Sequence, residues 1–186
     1  GLWAREVAAL AGVYLPLHPM EHQYLVTDDL AEIYELPEEP PQVLDPAGET
    51  YLRPEGRGLL IGFYEQACEP WAVDGTPADF GAELLPDRLD RIAPAMEEAF
   101  RRFPILENAG IKRVINGPFT FLPDGNPLVG PVPGLRNYWA ACAVMAGFSQ
   151  GGGVGLTLAE WMVEGAASRD VFALDVARFG PWITPG

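Results

Sequence analysis

Apolar residues recur along this chain at spacings of three and four in some stretches and at every second position or in short runs in others. Leu2, Val7, Leu10 and Ala11 lie on one helical stripe and Gly12 supplies a stop, so residues 2–12 read as a helix. Residues 22–27, HQYLVT, read as a strand. Residues 28–46 are acidic and proline-rich and read as a solvated surface loop. Two β-like runs, residues 50–53 and 59–64, flank Pro54-Glu55-Gly56-Arg57-Gly58 and predict a hairpin. Residues 65–86, which include Trp71, carry no clear period and read as an irregular excursion. From Asp87 onward, Leu89, Ile92, Met96, Phe100 and Phe103 form one stripe of a helix that contains Pro94 and ends at Pro104. A strand over 112–116, a turn-rich stretch over 117–130 centred on Pro123-Asp124-Gly125, and an apolar strand over 137–143 follow. Then come Gly151, Gly152, Gly153 and Gly155, read as a loop, and a helix over 156–164. There are no internal repeats. The class is α+β: an antiparallel sheet with flanking helices and a closing strand-loop-helix.

With 186 residues, 48% of them hydrophobic and 20% charged, the chain has enough apolar material for a substantial core. The formal net charge is −14, with Lys112 the single lysine. Such a surface repels phosphate backbones and argues against a nucleic-acid partner. Cys68 and Cys142 make no disulfide framework, and with His18 and His22 they give no zinc spacing, so a reducing compartment is expected. No apolar run approaches the ~20 residues of a membrane span. Gly1-Leu2-Trp3 runs directly into the first helix without an initiator methionine, and Gly180-Pro181-Trp182 has the character of a linker. Both ends read as cut from a longer chain.

A strand, a glycine run and a helix in succession bring backbone N–H groups and a helix N-terminus to one spot, which suits an electron-rich ligand. The run does not match G-x-G-x-x-G, nor does it contain the Gly-Lys-Ser/Thr of a phosphate loop. Close packing of helix on sheet and ligand binding both remain open on spacing alone. With no cationic side chain in the run, a neutral or mildly anionic group suits it better than a compact phosphate.

Several segments, taken in order, carry a family resemblance. They are GLWAREVAALAGVYLPLHPMEHQYLVT, TYLRPEGRGLLIGFYE, the long stretch GIKRVINGPFTFLPDGNPLVGPVPGLRNYWAACAVMAGFSQGGGVGLTLAEWMVEG, and LDVARFG. Together they resemble the flavin-dependent amine oxidoreductases of the dimethylglycine dehydrogenase and sarcosine dehydrogenase type, within the D-amino-acid oxidase-like superfamily. Its most specific parts are Trp3-Ala4-Arg5-Glu6, the Asn116-Gly117-Pro118 to Pro123-Asp124-Gly125 loop, and residues 147–161. The resemblance implies that residues 1–20 end an FAD-binding half, residues 21–116 form the substrate-binding part, and residues 117–186 return to the FAD-binding part. It also implies a preceding N-terminal half with the ADP-binding fingerprint and a following folate-binding region, neither of which falls in this sequence. The segment Ala143-Val144-Met145-Ala146 is one residue shorter than the family's commoner Gly-Phe-Asn-Ser-Ala pattern.

By that resemblance His22 and Tyr51 face the substrate amine; Arg53, by its planar fork, is of the type that pairs with a substrate carboxylate. Trp3, Pro123, Asp124 and Met145-Ala146-Gly147-Phe148-Ser149 lie beside FAD. Plainer readings stay open: a strand-edge histidine, a half-buried strand tyrosine, a surface arginine, a packing tryptophan, and an aspartate that holds its own turn. His18 and the two cysteines carry only structural readings. The function implied is part of an FAD-dependent enzyme that oxidises an N-methylated amine such as dimethylglycine or sarcosine, in the cytoplasm or, in a eukaryote, the mitochondrial matrix. A D-amino-acid or glycine oxidase-like flavoenzyme, and a non-catalytic fragment or binding module without cofactor, are the alternatives.

Overall fold

The hairpin expected around Gly56 is the centre of the larger sheet. In this computed structural model, residues 1–180 and 183 are described, so Pro181 and Trp182 of the expected linker lie outside the described residues. In chain order the elements are α1 (Ala4–Leu10), β1 (His18–Thr27), α2 (Ala31–Tyr34), β2 (Val43–Asp45), β3 (Thr50–Glu55), β4 (Gly58–Phe63), α3 (Leu89–Arg102), β5 (Ile111–Phe121), β6 (Leu128–Pro131), β7 (Trp139–Cys142) and α4 (Gly147–Glu164). They fall into two units. One comprises Gly1–Met20, Pro70–Phe80 and Phe119–Gly186; the other comprises Glu21–Glu69 and Gly81–Pro118.

The second unit holds a five-stranded sheet in the order β2-β3-β4-β1-β5. Strands β3 and β4 pair antiparallel from Thr50↔Phe63 to Glu55↔Gly58, and Gly56 adopts φ 60 in the tight turn between them. Strand β1 pairs antiparallel with β4 through Tyr24↔Gly62, Leu25↔Ile61 and Val26↔Leu60. Alternation along each strand sends Leu25, Ile61 and Leu52 to one face, where they bury with Leu59, Phe63, Leu106 and the α3 residues Ile92 and Ala99. Each such large side chain contributes about 1.5–3 kcal/mol by leaving water. Helix α3 runs through Pro94, with Met96, Phe100 and Phe103 packed against the same core. The start of α3 is held to the sheet by Gln23. Its side-chain amide donates to the Arg88 carbonyl at 3.0 Å and accepts from the Arg88 N–H at 2.7 Å.

The first unit is built on α1, the antiparallel β6–β7 hairpin and α4. Ala8, Leu15, Leu17, Leu128, Ala140 and Cys142 are among its buried core residues. Trp161 of α4 packs over Gly130, where a Cβ would meet its ring at 2.9 Å, and stands edge-on to Trp139 at 6.1 Å. Gly165, left-handed at φ 79, ends the helix.

Three expectations are corrected. Gly151, Gly152, Gly153 and Gly155 form no loop; they lie inside α4, which begins at Gly147. Glycine accepts helical dihedrals at a cost of about 1 kcal/mol each relative to alanine, and the strong formers that follow, with Trp161 packed on the hairpin, carry the helix through them. Residues 28–46 hold the short helix α2 and the edge strand β2, which pairs with β3. Strand β5 extends to Phe121, so the turn-rich stretch begins only after it.

Candidate functional site

The sheet face opposite α3 gathers three of the residues singled out in the sequence. Gly62 pairs with both Tyr24 and Tyr51, so the side chains of that row share one face, and His22 joins them two residues before Tyr24. The ring of Tyr51 lies on the Gly62 backbone so closely that a Cβ on Gly62 would fall inside it. The Tyr64 ring lies 5.6 Å from that of Tyr51. Burial pushes the Tyr51 phenol up, and the neighbouring Tyr64 and Tyr24 push it further, so the group stays protonated at neutral pH. Arg53 follows on the same face but toward the other end of the sheet, about 13 Å along the strand direction from the His22 row at ~3.3 Å per residue. Its side chain is 43% exposed, and its guanidinium is occupied by Glu55 at 2.6 Å and the Pro54 carbonyl at 3.0 Å.

His22 is backed by a charged cluster that no sequence motif announced. Its Nδ1 faces the Glu65 carboxylate at 3.7 Å, too long for a hydrogen bond. Glu65, only 2% exposed, accepts the Gln23 N–H at 2.9 Å and lies 3.8 Å from the Arg91 guanidinium. Arg91, 6% exposed, also meets Glu21 at 3.1 Å and Glu69 at 3.6 Å. Asn116 donates to Glu21 at 2.8 Å and to the Pro86 carbonyl at 2.7 Å. Burial pushes the His22 imidazole below its ordinary value, and the Arg91 charge pushes it further. Burial likewise pushes Glu65 up, against the downward pull of the Gln23 N–H and Arg91. Both directions disfavour a His22–Glu65 ion pair, so the imidazole is neutral at pH 7 and able to accept a proton.

The remaining residues singled out lie in the first unit. Met145 and Ala146 precede α4, and Gly147, Phe148 and Ser149 form its first turn. No side chain caps this helix start; Ser149 turns its hydroxyl back to the Ala146 carbonyl at 3.1 Å. Residues 146–153 are all exposed, and Cβ atoms on the four glycines would meet nothing. Asp124 follows Pro123 in the turn, accepts the Asn126 N–H at 3.1 Å, and is gripped by Arg178 at 2.8 and 3.1 Å. Trp3, with Val7, Leu15, Tyr138, Trp139 and Cys142, lines a cavity of about 350 Å³. Among the described residues no cluster of His, Cys, Asp and Glu fits a metal ion, and no helix is long and apolar enough to cross a membrane.

Glu65 and Arg91 escaped the sequence reading because their relation to His22 is purely tertiary. Glu65 sits just past a strand, and Arg91 occupies a helix position that a charged residue normally turns to solvent. The available signal was Arg91's place directly before Ile92, at the edge of the α3 stripe.

The family described as FAD dependent oxidoreductase matches residues 1–161. The chain is 42% identical over 189 aligned residues to mitochondrial dimethylglycine dehydrogenase of Homo sapiens, covering 99% of this chain and 22% of that protein. It is 37% identical to mitochondrial sarcosine dehydrogenase of Mus musculus, covering 96% of this chain and 19% of that one. The chain thus spans about a fifth of the length of these curated relatives. Among solved structures, L-proline dehydrogenase from P. horikoshii superposes with a TM-score of 0.75 at 23% identity, over 96% of this chain and 45% of that one, a likeness of fold.

Proposed function

Since this chain belongs to the FAD dependent oxidoreductase family, we propose that it is part of an enzyme that uses FAD to oxidise an N-methylated amine such as dimethylglycine or sarcosine. The observation that carries the reading is the face of His22, Tyr24 and Tyr51, with a neutral imidazole, in a chain 42% identical to a dimethylglycine dehydrogenase.

The residues present fit a flavin. The start of α4 is uncapped and exposed, with no cationic side chain over residues 145–155, which suits an electron-rich, mildly anionic ring better than a phosphate. Met145, Ala146, Gly147, Phe148 and Ser149 would hold it, with Trp3, Pro123 and Asp124 as further neighbours carried over from the resemblance. Bound FAD supplies the hydride acceptor. The chain's own residues prepare the amine. An N-methyl carbon releases hydride readily only when the adjacent nitrogen has an unprotonated lone pair, and neutral His22 accepts the ammonium proton. Tyr51, held as a phenol, donates or accepts a hydrogen bond and lays an aromatic face along the substrate. Transfer of the one-carbon product to folate belongs to a region outside this sequence. The names of the two relatives support a mitochondrial location over a cytoplasmic one.

The test is anaerobic flavin reduction in the full-length protein, with dimethylglycine and sarcosine set against glycine and D-alanine. Bleaching by the N-methylated pair, with a His22→Asn variant slowed about 10²-fold or more at unchanged flavin content, is the expected result. Bleaching by glycine or D-alanine alone moves the enzyme to the amino-acid oxidase class. A flavin-free full-length protein removes the reading altogether.

A further inference from the structure

We propose that Glu65 is a positioning residue for the amine-facing histidine: its carboxylate, fixed by the Gln23 N–H and the Arg91 guanidinium, holds the His22 proton on Nδ1 and makes Nε2 the basic nitrogen. The inference rests on the reading of His22 as the group that faces substrate, and it deepens that reading.

The geometry has three parts. Glu65 is anchored independently of His22, because its Oε1 accepts the Gln23 N–H at 2.9 Å. That oxygen is also the one that faces Nδ1, at 3.7 Å. A neutral imidazole carries its single N–H on one nitrogen, and a carboxylate oxygen beside Nδ1 favours that nitrogen as donor. Nε2, on the other edge of the ring, then carries the lone pair. A shift of about 1 Å brings the contact into hydrogen-bond range, as catalytic contacts commonly tighten when substrate binds. Second, one carboxylate oxygen of Glu65 faces the imidazole while the other, Oε2, lies 3.8 Å from the Arg91 guanidinium. The negative charge of Glu65 offsets part of the downward push that the Arg91 charge exerts on the imidazole. Third, Arg91 is fixed by Glu21 at the same Nη2 that nears Glu65 and by Glu69 at Nη1, and the start of its helix is fixed by the Gln23–Arg88 pair.

The charged and titratable groups set against this pair include Glu21 on β1, Glu69 and Cys68 after β4, Arg88 and Arg91 at the start of α3, and Tyr24 and Tyr51 on the His22 face. Cys68 donates to the Glu65 carbonyl at 3.1 Å, leaving the carboxylate untouched. Asn116 of β5 reaches Glu21 alone among the carboxylates.

The test uses the full-length flavoprotein, with Glu65→Gln, which keeps shape and removes charge, and Glu65→Asp, which keeps charge. Two readouts are taken. The His22 titration midpoint is measured from deuterium exchange at its ring Cε1–H, read by mass spectrometry on the peptide that contains it. The pH dependence of kcat/KM for dimethylglycine is measured in parallel, at checked flavin content. The expected result is a midpoint about one pH unit lower in Glu65→Gln. The acid limb of the profile moves down with it, kcat/KM at its plateau drops about tenfold, and Glu65→Asp recovers much of both. A Glu65→Gln protein with full flavin content and an unmoved midpoint overturns the proposal, as does a moved midpoint with wild-type turnover at every pH. If wild-type protein oxidises no N-methylated amine, the substrate reading fails, and the midpoint alone then decides whether Glu65 governs His22.

Discussion

The Tyr51 ring occupies the volume that a side chain on Gly62 would need. The two residues pair across β3 and β4, and Tyr24 pairs with Gly62 from the other side. A glycine at the centre of a sheet costs strand stability because it has no side chain to pack and more backbone freedom to lose. Here that cost gives a tyrosine room to lie flat on the backbone, on the face it shares with His22. Gly62→Ala must expel the ring. The expected loss is about 1–3 kcal/mol of unfolding free energy, measured by denaturant titration, with a fall in kcat/KM for the N-methylated amine. An unfolding midpoint equal to wild type would mean that the ring finds another seat at no cost.

Tyr51 itself separates hydroxyl from ring. Burial, Tyr64 and Tyr24 hold its phenol above the ordinary value, so ionisation of Tyr51 plays no part between pH 6 and 9. Tyr51→Phe is expected to lower kcat/KM about tenfold without changing the shape of the pH profile, and Tyr51→Ala to lower it further, since the aromatic face is lost as well. Stopped-flow flavin reduction across that range reads both effects. A limb of the profile that vanishes in Tyr51→Phe would contradict a permanently protonated phenol.

Gln23 is fully buried and satisfies both backbone groups of Arg88. Replacement by leucine removes both bonds and leaves a buried N–H and C=O to find partners. The expected loss is about 2–4 kcal/mol, read as a lowered denaturation midpoint. His22 should feel it too, because the start of α3 carries Arg91. Its titration midpoint, measured by the same ring exchange, is expected to change in Gln23→Leu but not in a destabilising core substitution far from it, such as Leu106→Ala.

Much of the scaffold was legible because its signals are local. The Pro54 to Gly58 turn marks the hairpin, and the α3 stripe from Leu89 to Phe103 marks the helix that covers it. Alternation along HQYLVT is enough to set His22 and Tyr24 apart from Gln23 and Leu25. What could not be read was set by tertiary contact. The glycine run obeys the helix that contains it against its own propensity. The pairing of Glu65 and Arg91 behind His22 leaves no spacing in the sequence.

Glu6 gives a pH dependence of stability with a definite sign. Burial alone would raise its carboxyl, but the Thr76 N–H at 2.8 Å and Arg5 at 3.0 Å outweigh it and bring the value from 4.5 to about 2. A folded-state value below the unfolded one means that the unfolded chain takes up the proton first. The stabilisation is therefore complete above about pH 4.5 and disappears as the pH falls toward 2. Unfolding midpoints measured across that window should fall more steeply in wild type than in Glu6→Gln, which is less stable near neutral pH and nearly level with wild type at the acid end. Parallel curves for the two proteins would show that Glu6 is not held by these contacts.

The glycines of α4 set helix stability against the proposed flavin contact. Gly151 and Gly155 lie inside a helix, and a Cβ on either meets no other atom of this chain. Alanine at each position should stabilise the apoprotein by about 0.5–1 kcal/mol through backbone entropy and propensity alone. If the first half of this helix lies beside FAD, close approach is the reason for the glycines, and the same substitutions should weaken flavin retention even as they stiffen the helix. The expected outcome in the full-length protein is a raised apoprotein unfolding midpoint together with flavin lost more readily on dialysis. Raised stability with unchanged flavin content would leave helix packing as the whole account of the glycine run and move the flavin contact to Met145 and Ala146, ahead of the helix.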